Sequence, residues 1–172
     1  MLNYFFDYIV MVAALRFITD GMLGKLSRWL RILGHDVQYY KSAPDESLIE
    51  LAASSDRILL TKDQKLVQKA TKHGAKVLFV TGSDVIEMLG NIVYNFGFNL
   101  EIDLKVSRCP KCNGVLIVVS KDSIIEEIPD LTSIYYNVFW KCKKCGQIYW
   151  LGSHWKKIIR TLEDVKNFVE YH

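Results

Sequence analysis

Two sets of side chains in this 172-residue chain have types and spacings that suit metal chemistry. The first is thiol. Cys109, Cys112, Cys142 and Cys145 form two Cys-x-x-Cys pairs with no cysteine left over. Four thiolates bind tetrahedral Zn²⁺ well, and each knuckle supplies two of them from one turn. Gly114 and Gly146 follow the second cysteine of each pair, where the turn needs permissive backbone. A redox dithiol is the competing reading, but the first pair is not beside a βαβ pattern of the redox kind. The set predicts one structural zinc. Thiolates persist in a reducing compartment, so the expected location is cytoplasmic.

The second set is acidic. Ile18-Thr19-Asp20, Thr61-Lys62-Asp63 and Thr81-Gly82-Ser83-Asp84 share one design, an apolar β-type run that reaches a threonine and then an aspartate. Asp45, with Glu46 beside it, opens a predicted helix. If the strands are parallel neighbours, their carboxyl ends face one crevice, where open α/β sheets bind ligands. Converging carboxylates repel unless neutralised, and Mg²⁺ or Mn²⁺ prefers such oxygen donors. Asp20, Asp45, Asp63 and Asp84 are therefore candidate catalytic acids, with Asp20, Asp45 and Asp63 as candidate ligands of the ion. An aspartate after a strand also commonly serves only as the N-cap of the next helix. Asp36 and Asp56 precede strands and belong to the opposite rim.

The elements that must position these groups follow from periodicity. Strands are predicted at 15–19, 36–40, 57–61 and 76–81. Helices are predicted at 21–33, 44–54, 64–73 and 85–96, where apolar residues recur at helical spacing. Four strand–helix alternations in succession predict an α/β fold, a parallel sheet with helices on both faces. Beyond residue 103 the pattern changes to two cysteine knuckles with short strands at 115–119, 134–140 and 147–150. A closing helix is expected at 161–171. The expected division is 1–103 and 104–172, the second a small Cys₄ zinc ribbon with a C-terminal helix.

Half of the residues are hydrophobic and a quarter charged, a folded composition. Residues 1–103 carry 11 Lys and Arg against 12 Asp and Glu, whereas 104–172 carry 11 against 7, so acid and base are segregated. The apolar start, interrupted by Asp7, is shorter than the ~20 residues of a membrane span and lacks a basic leader region. No membrane association is expected. Either residues 1–10 form an extension packing on the domain or translation starts at Met11.

Arg28 and Arg31, on the first helix, are candidate phosphate contacts, or else a solvated face or ion pairs. His154, Trp155 and Lys156 lie in a basic-aromatic run, Tyr149 to Lys157, of the kind that stacks bases and tracks phosphates of single-stranded nucleic acid. Alternatively, its aromatics pack ribbon on sheet.

These residues resemble the Mut7-C RNase family, a branch of PIN-like nucleases with a fused zinc ribbon. The resemblance lies in Phe17-Ile-Thr-Asp-Gly-Met-Leu-Gly-Lys-Leu-Ser-Arg-Trp-Leu-Arg31, Gly34-His-Asp36, Ile58-Leu-Leu-Thr-Lys-Asp63, Ser107-Arg-Cys-Pro-Lys-Cys112 and Cys142-Lys-Lys-Cys-Gly-Gln-Ile-Tyr-Trp-Leu-Gly-Ser-His-Trp155. It implies a PIN-like sheet and a metal-dependent ribonuclease. Asp20 and Asp63 match the acids after the first and third strands, Asp45 the acid on the second helix, and Asp84 less closely a fourth. The expected activity is hydrolysis of RNA, with the ribbon aiding binding of a single strand. A catalytically inactive RNA-binding adaptor is the alternative. A phosphoacceptor receiver is disfavoured, because Gly21 rather than a second acid follows Asp20.

Overall fold

The computed structural model describes residues 14–171. Residues 1–13, which hold the expected extension and Met11, lie outside the described residues, as does His172. The order of elements bears out the α/β expectation. Strands β1 (Arg16–Thr19), β2 (Asp36–Tyr39), β3 (Ile58–Thr61) and β4 (Val77–Phe79) alternate with helices α1 (Gly24–Ile32), α2 (Asp45–Ser54), α3 (Gln64–Lys72) and α4 (Val85–Phe96). The strands form one parallel sheet in the order β2-β1-β3-β4.

Side chains alternate across a strand, and here both faces are apolar. Phe17 and Leu60 enter one core with Leu23, Leu26 and Leu30 of the α1 region and Leu89 and Ile92 of α4. Ile18 and Leu59 enter the other, with Leu48, Ile49 and Ala52 of α2 and Leu66 and Ala70 of α3. Helices covering both faces explain why these short strands read as continuous apolar runs.

The first helix starts later than its periodicity suggests. A 3-10 turn, Gly21–Leu23, precedes α1. Buried Ser27 sets the helix against the sheet. Its hydroxyl donates to Leu23 O at 2.8 Å and lies 2.7 Å from Thr19 Oγ1.

Strands β5 (Leu116–Val119), β6 (Phe139–Cys142) and β7 (Ile148–Tyr149) form a separate antiparallel sheet in that order. The strand expected at 134–140 is shorter and shifted. Asp130–Tyr135 is instead a helix, α5, with Pro129 at its N-cap and Ser133 Oγ donating to Asp130 O at 2.7 Å. Ile134 and Tyr135 are exposed, so no facing sheet favours an extended conformation.

The closing helix is longer than expected. It spans Ser153–Tyr171 as α6. Leu162 and Val165 are buried in the first core, with Ile158 and Val169 packed against it. These positions fall on one helical stripe, and the stripe packs on α4. The helix that sequence groups with the ribbon therefore completes the α/β core in space. No helix among the described residues is long and apolar enough to cross a membrane.

Candidate active site and cysteine centre

Asp20 follows the central strand β1 and is 9% exposed. The parallel register explains its surroundings. Ile18 pairs with Leu59 and Thr19 with Leu60, so the next step sets Asp20 beside Thr61 on the same sheet face. Thr61 Oγ1 donates to Asp20 Oδ2 at 2.5 Å. The other carboxylate oxygen, Oδ1, accepts from Met22 N at 2.9 Å and caps the 3-10 turn. Both oxygens are thus oriented, and each keeps a second lone pair.

Asp63 is coupled to Asp20 through the same hydroxyl. Its backbone N–H donates to Thr61 Oγ1 at 3.0 Å. Its Oδ1 caps α3, accepting from Lys65 N at 2.7 Å and Leu66 N at 3.3 Å. Asp84 does the same for α4 through Ile86 N and Glu87 N, at 2.8 and 3.0 Å. Each of these caps uses one oxygen. Asp20, Asp63 and Asp84 thus follow β1, β3 and β4, three adjacent strands. Asp45, at the start of α2, is held by Lys69 of α3 at 2.9 Å, and Glu46 lies 3.5 Å from the same ammonium. The Asp45 hydrogen bond and charge, with a smaller part from Glu46, raise the Lys69 pKa. Lys62 turns from Asp63 and donates to Gly82 O at 2.6 Å.

The carboxylates are hard oxygen donors, which suits Mg²⁺ or Mn²⁺. Their present spacing is looser than that of a closed site. Among the described residues, the four cysteines are the one set of three or more His, Cys, Asp or Glu whose donor atoms converge as metal ligands do.

That cysteine set fits zinc. The four Sγ atoms all lie within 4.8 Å of one another, with Cys109–Cys145 at 3.7 Å and Cys112–Cys142 at 3.4 Å. A tetrahedron with Zn–S bonds of ~2.3 Å has edges of roughly 3.8 Å. The knuckles are closed by backbone bonds, Asn113 N to Cys109 O at 2.8 Å and Gly146 N to Cys142 O at 3.0 Å. Gly114 is required by close approach, since a Cβ there would stand 2.7 Å from Cys142 Sγ. The backbone N–H of Gln147 leads in lowering the Cys145 pKa to about 7. Tyr149 Oη lies 3.1 Å from Cys109 Sγ. Burial, then the cysteine itself, holds that phenol above its ordinary range, so it serves as a donor to the sulfur.

The two candidate arginines divide. Arg28 is exposed and makes no ion pair among the described residues. Arg31 is 5% exposed and directs its donors into the protein. Nε and Nη2 donate to Val37 O at 3.0 and 2.8 Å, and Nη1 donates to Pro110 O at 2.9 Å. It bolts α1 and β2 to the first cysteine knuckle, which corrects the expectation of a phosphate contact: a buried guanidinium already satisfied by carbonyls has little to offer a ligand.

His154, Trp155 and Lys156 fall in the first turn of α6, which begins ahead of the helix expected at 161–171. His154 and Lys156 are exposed, while Trp155 is half-buried and lines an apolar cavity together with Pro110, Trp140 and Ile158.

Sequence reasoning missed two groups. Thr61 was visible only as a strand end, and the register was needed to make it the partner of Asp20. Asp36 sits at the opposite rim as expected, yet it is a junction. It pairs with Arg57 at 2.8 Å and accepts from Asn113 Nδ2 at 2.6 Å, while Asn113 Oδ1 accepts from Val37 N at 3.1 Å. Burial raises the Asp36 pKa, but the Arg57 and Asn113 hydrogen bonds and the charges of Arg57 and Arg108 outweigh it, leaving it lowered.

Residues 15–162 match the family described as the Mut7-C RNAse domain. Neither the curated proteins nor the solved structures yield a match.

Proposed function

The chain belongs to the Mut7-C RNAse domain family, and from that membership we propose that it is a metal-dependent ribonuclease acting at the carboxyl ends of β1 and β3. The observation that carries this reading is the orientation of Asp20. It is a nearly buried carboxylate after the central strand, fixed by Thr61 of the neighbouring strand and by Met22 N. A helix cap needs only one carboxylate oxygen. The additional bond from Thr61, made out of a fully buried position, holds the second oxygen as well, and it does so at the carboxyl end of the sheet, the side on which ligands of α/β sheets bind.

Asp20 and Asp63 are the residues that would hold Mg²⁺ or Mn²⁺, joined by Asp84 from the next strand. Asp45 joins if Lys69 releases it. A bound ion supplies Lewis acidity toward the phosphoryl oxygens and lowers the pKa of a bound water. Thr61 keeps the Asp20 carboxylate at a fixed angle, and its acceptance of the Asp63 N–H couples the two strand ends. Structural zinc in the cysteine set shapes the ribbon, away from the chemistry. The reaction is hydrolysis of an RNA phosphodiester, and we assign the protein to the cytoplasm because its thiols must stay reduced.

The inactive RNA-binding adaptor is favoured by one group of observations. Asp63 and Asp84 both act as helix caps, and Asp45 is ion-paired. Cleavage of end-labelled single-stranded RNA in Mg²⁺ or Mn²⁺ separates the two. The parent should cleave, and Asp20→Asn and Asp63→Asn should each lose activity while keeping the parent's circular dichroism. Parent-level cleavage by both variants would remove the catalytic assignment, and binding without cleavage by the parent would establish the adaptor.

A further inference from the structure

A cleft of about 420 Å³ lies between the two modules, and it exists only because the ribbon docks on α1. One wall is α1, from Gly24 to Arg28 and Arg31. These are positions i, i+4 and i+7, one face of the helix and a run of ~10 Å. Tyr39, at the end of β2, forms the wall beside Gly24. The rest of the lining comes from the ribbon, through Pro110 and Lys111 of the first cysteine knuckle and Gln147 and Tyr149 at β7.

Three features give the cleft a ligand preference. Its lining holds Arg28, Arg31 and Lys111 and no carboxylate. Arg28 and Lys111 are exposed and have no ion-pair partner among the described residues, whereas Arg31 is committed to carbonyls. One end of the cleft reaches the carboxyl end of β2 and the turn that follows β1. Tyr39 Oη donates to Gly21 O at 3.4 Å, and Gly21 directly follows Asp20. The cleft is also held open from below. The Arg31 bond to Pro110 O, the Arg108 N bond to Arg31 O at 2.8 Å and the Ser107 Oγ bond to Ile32 O at 2.7 Å fix the distance between α1 and the first knuckle.

We propose that this cleft is the track for the phosphodiester backbone of single-stranded RNA on its way to Asp20, with Arg28 and Lys111 on successive phosphates and Tyr39 offering its ring face to a base. The assignment rests on the nuclease reading above. It gives the ribbon a definite task, since Lys111 comes from the first cysteine knuckle and lines the same cleft as Arg28. Cation pairs that neutralise phosphates and an aromatic face that accepts any base are the ordinary means of binding single strands without reading sequence.

The test uses the full zinc-loaded chain and a fluorescein-labelled oligouridylate, with binding followed by anisotropy over a range of KCl without added Mg²⁺ or Mn²⁺. Arg28→Ala with Lys111→Ala should weaken binding roughly ten- to a hundredfold and flatten the salt dependence by about 0.7 for each phosphate no longer neutralised. Tyr39→Ala should weaken it about tenfold, and Tyr39→Phe should not. Lys72→Ala, on the far end of α3, is the control and should bind as the parent does. Arg28→Lys with Lys111→Arg should restore the salt slope, which excludes a folding defect as the cause. Parent-like affinity and slope in the double alanine variant would overturn the track, as would a parent that binds no RNA. If the parent binds through these residues but cleaves nothing in Mg²⁺ or Mn²⁺, the track stands and the nuclease reading falls.

Discussion

Thr61 joins the two candidate acids through a single hydroxyl: its proton goes to Asp20 Oδ2 and its lone pair receives the backbone N–H of Asp63. The group is fully buried, so no water can replace it at either partner. Thr61→Val keeps the shape of the side chain and removes both functions. It should lower ribonuclease activity by about 10- to 100-fold, the usual cost of losing a group that orients a metal ligand. Single-turnover cleavage across a Mn²⁺ titration checks this, with Thr61→Ser recovering much of the loss. Thr19→Val removes the hydroxyl that meets Ser27 instead and should affect stability more than cleavage.

The cysteine set should bind one zinc per chain in freshly reduced protein, measured by metal analysis. Thiolate ligation competes with protons, so zinc affinity should fall as pH is lowered. Strong chelation should unfold the β5–β7 sheet and, through Pro110 and Asn113, loosen the docking of the ribbon on α1 and β2. Loss of the ribbon's near-ultraviolet signal from Trp140 and Trp150 on chelator addition, reversed by Zn²⁺, is the expected readout.

Arg31 should behave as a structural residue. Arg31→Ala strands the carbonyls of Val37 and Pro110 and is expected to cost about 2–4 kcal/mol. For a domain of this size that is a fall in Tm of roughly 5–15 °C. Arg31→Lys should rescue little, because one ammonium cannot reach Val37 O on one side and Pro110 O on the other with the planar fork's geometry. Thermal unfolding of both variants decides this. Arg28→Ala on the exposed face should leave Tm within about 1 °C.

His35 makes stability depend on pH. It is 5% exposed between Phe17 and Phe98, with ring centroids 5.8 and 4.3 Å away. Its Nδ1 accepts from Leu15 N at 3.2 Å, which leaves the proton on Nε2 without a partner. Desolvation lowers its pKa to about 4 from the ordinary 6.5. The unfolded chain therefore takes up a proton before the folded one. This contribution is fully present above pH ~6.5 and is lost as pH falls toward 4, to a total of roughly 3 kcal/mol. The lowered Asp36 carboxyl acts in a separate window, its contribution being present above its ordinary pKa of 3.8 and lost below it. Urea unfolding between pH 7.5 and 4.5 should show the decline in the parent and a flatter profile in His35→Leu.

Patterns among near neighbours along the chain were enough for part of the fold. Apolar runs separated by amphipathic helices specified the α/β order. The cap role of Asp63 and Asp84 was open to the sequence as the alternative to ligation, because a cap is read two or three residues downstream. The knuckle spacing brought each cysteine pair together within one turn. The tertiary structure decided what depends on distant residues meeting. The Asp20–Thr61 bond spans 41 positions and follows from a strand register that no local pattern encodes. Arg28 and Arg31 look alike in a helix, and only the docked knuckle, some 79 positions away from Arg31, makes one a buried clamp and leaves the other free. Packing of its apolar stripe on α4 likewise makes α6 part of the first core. Burial is a property of the assembled surfaces, so a side chain's type sets what it can bind, and its neighbours across the fold set whether it is still available to do so.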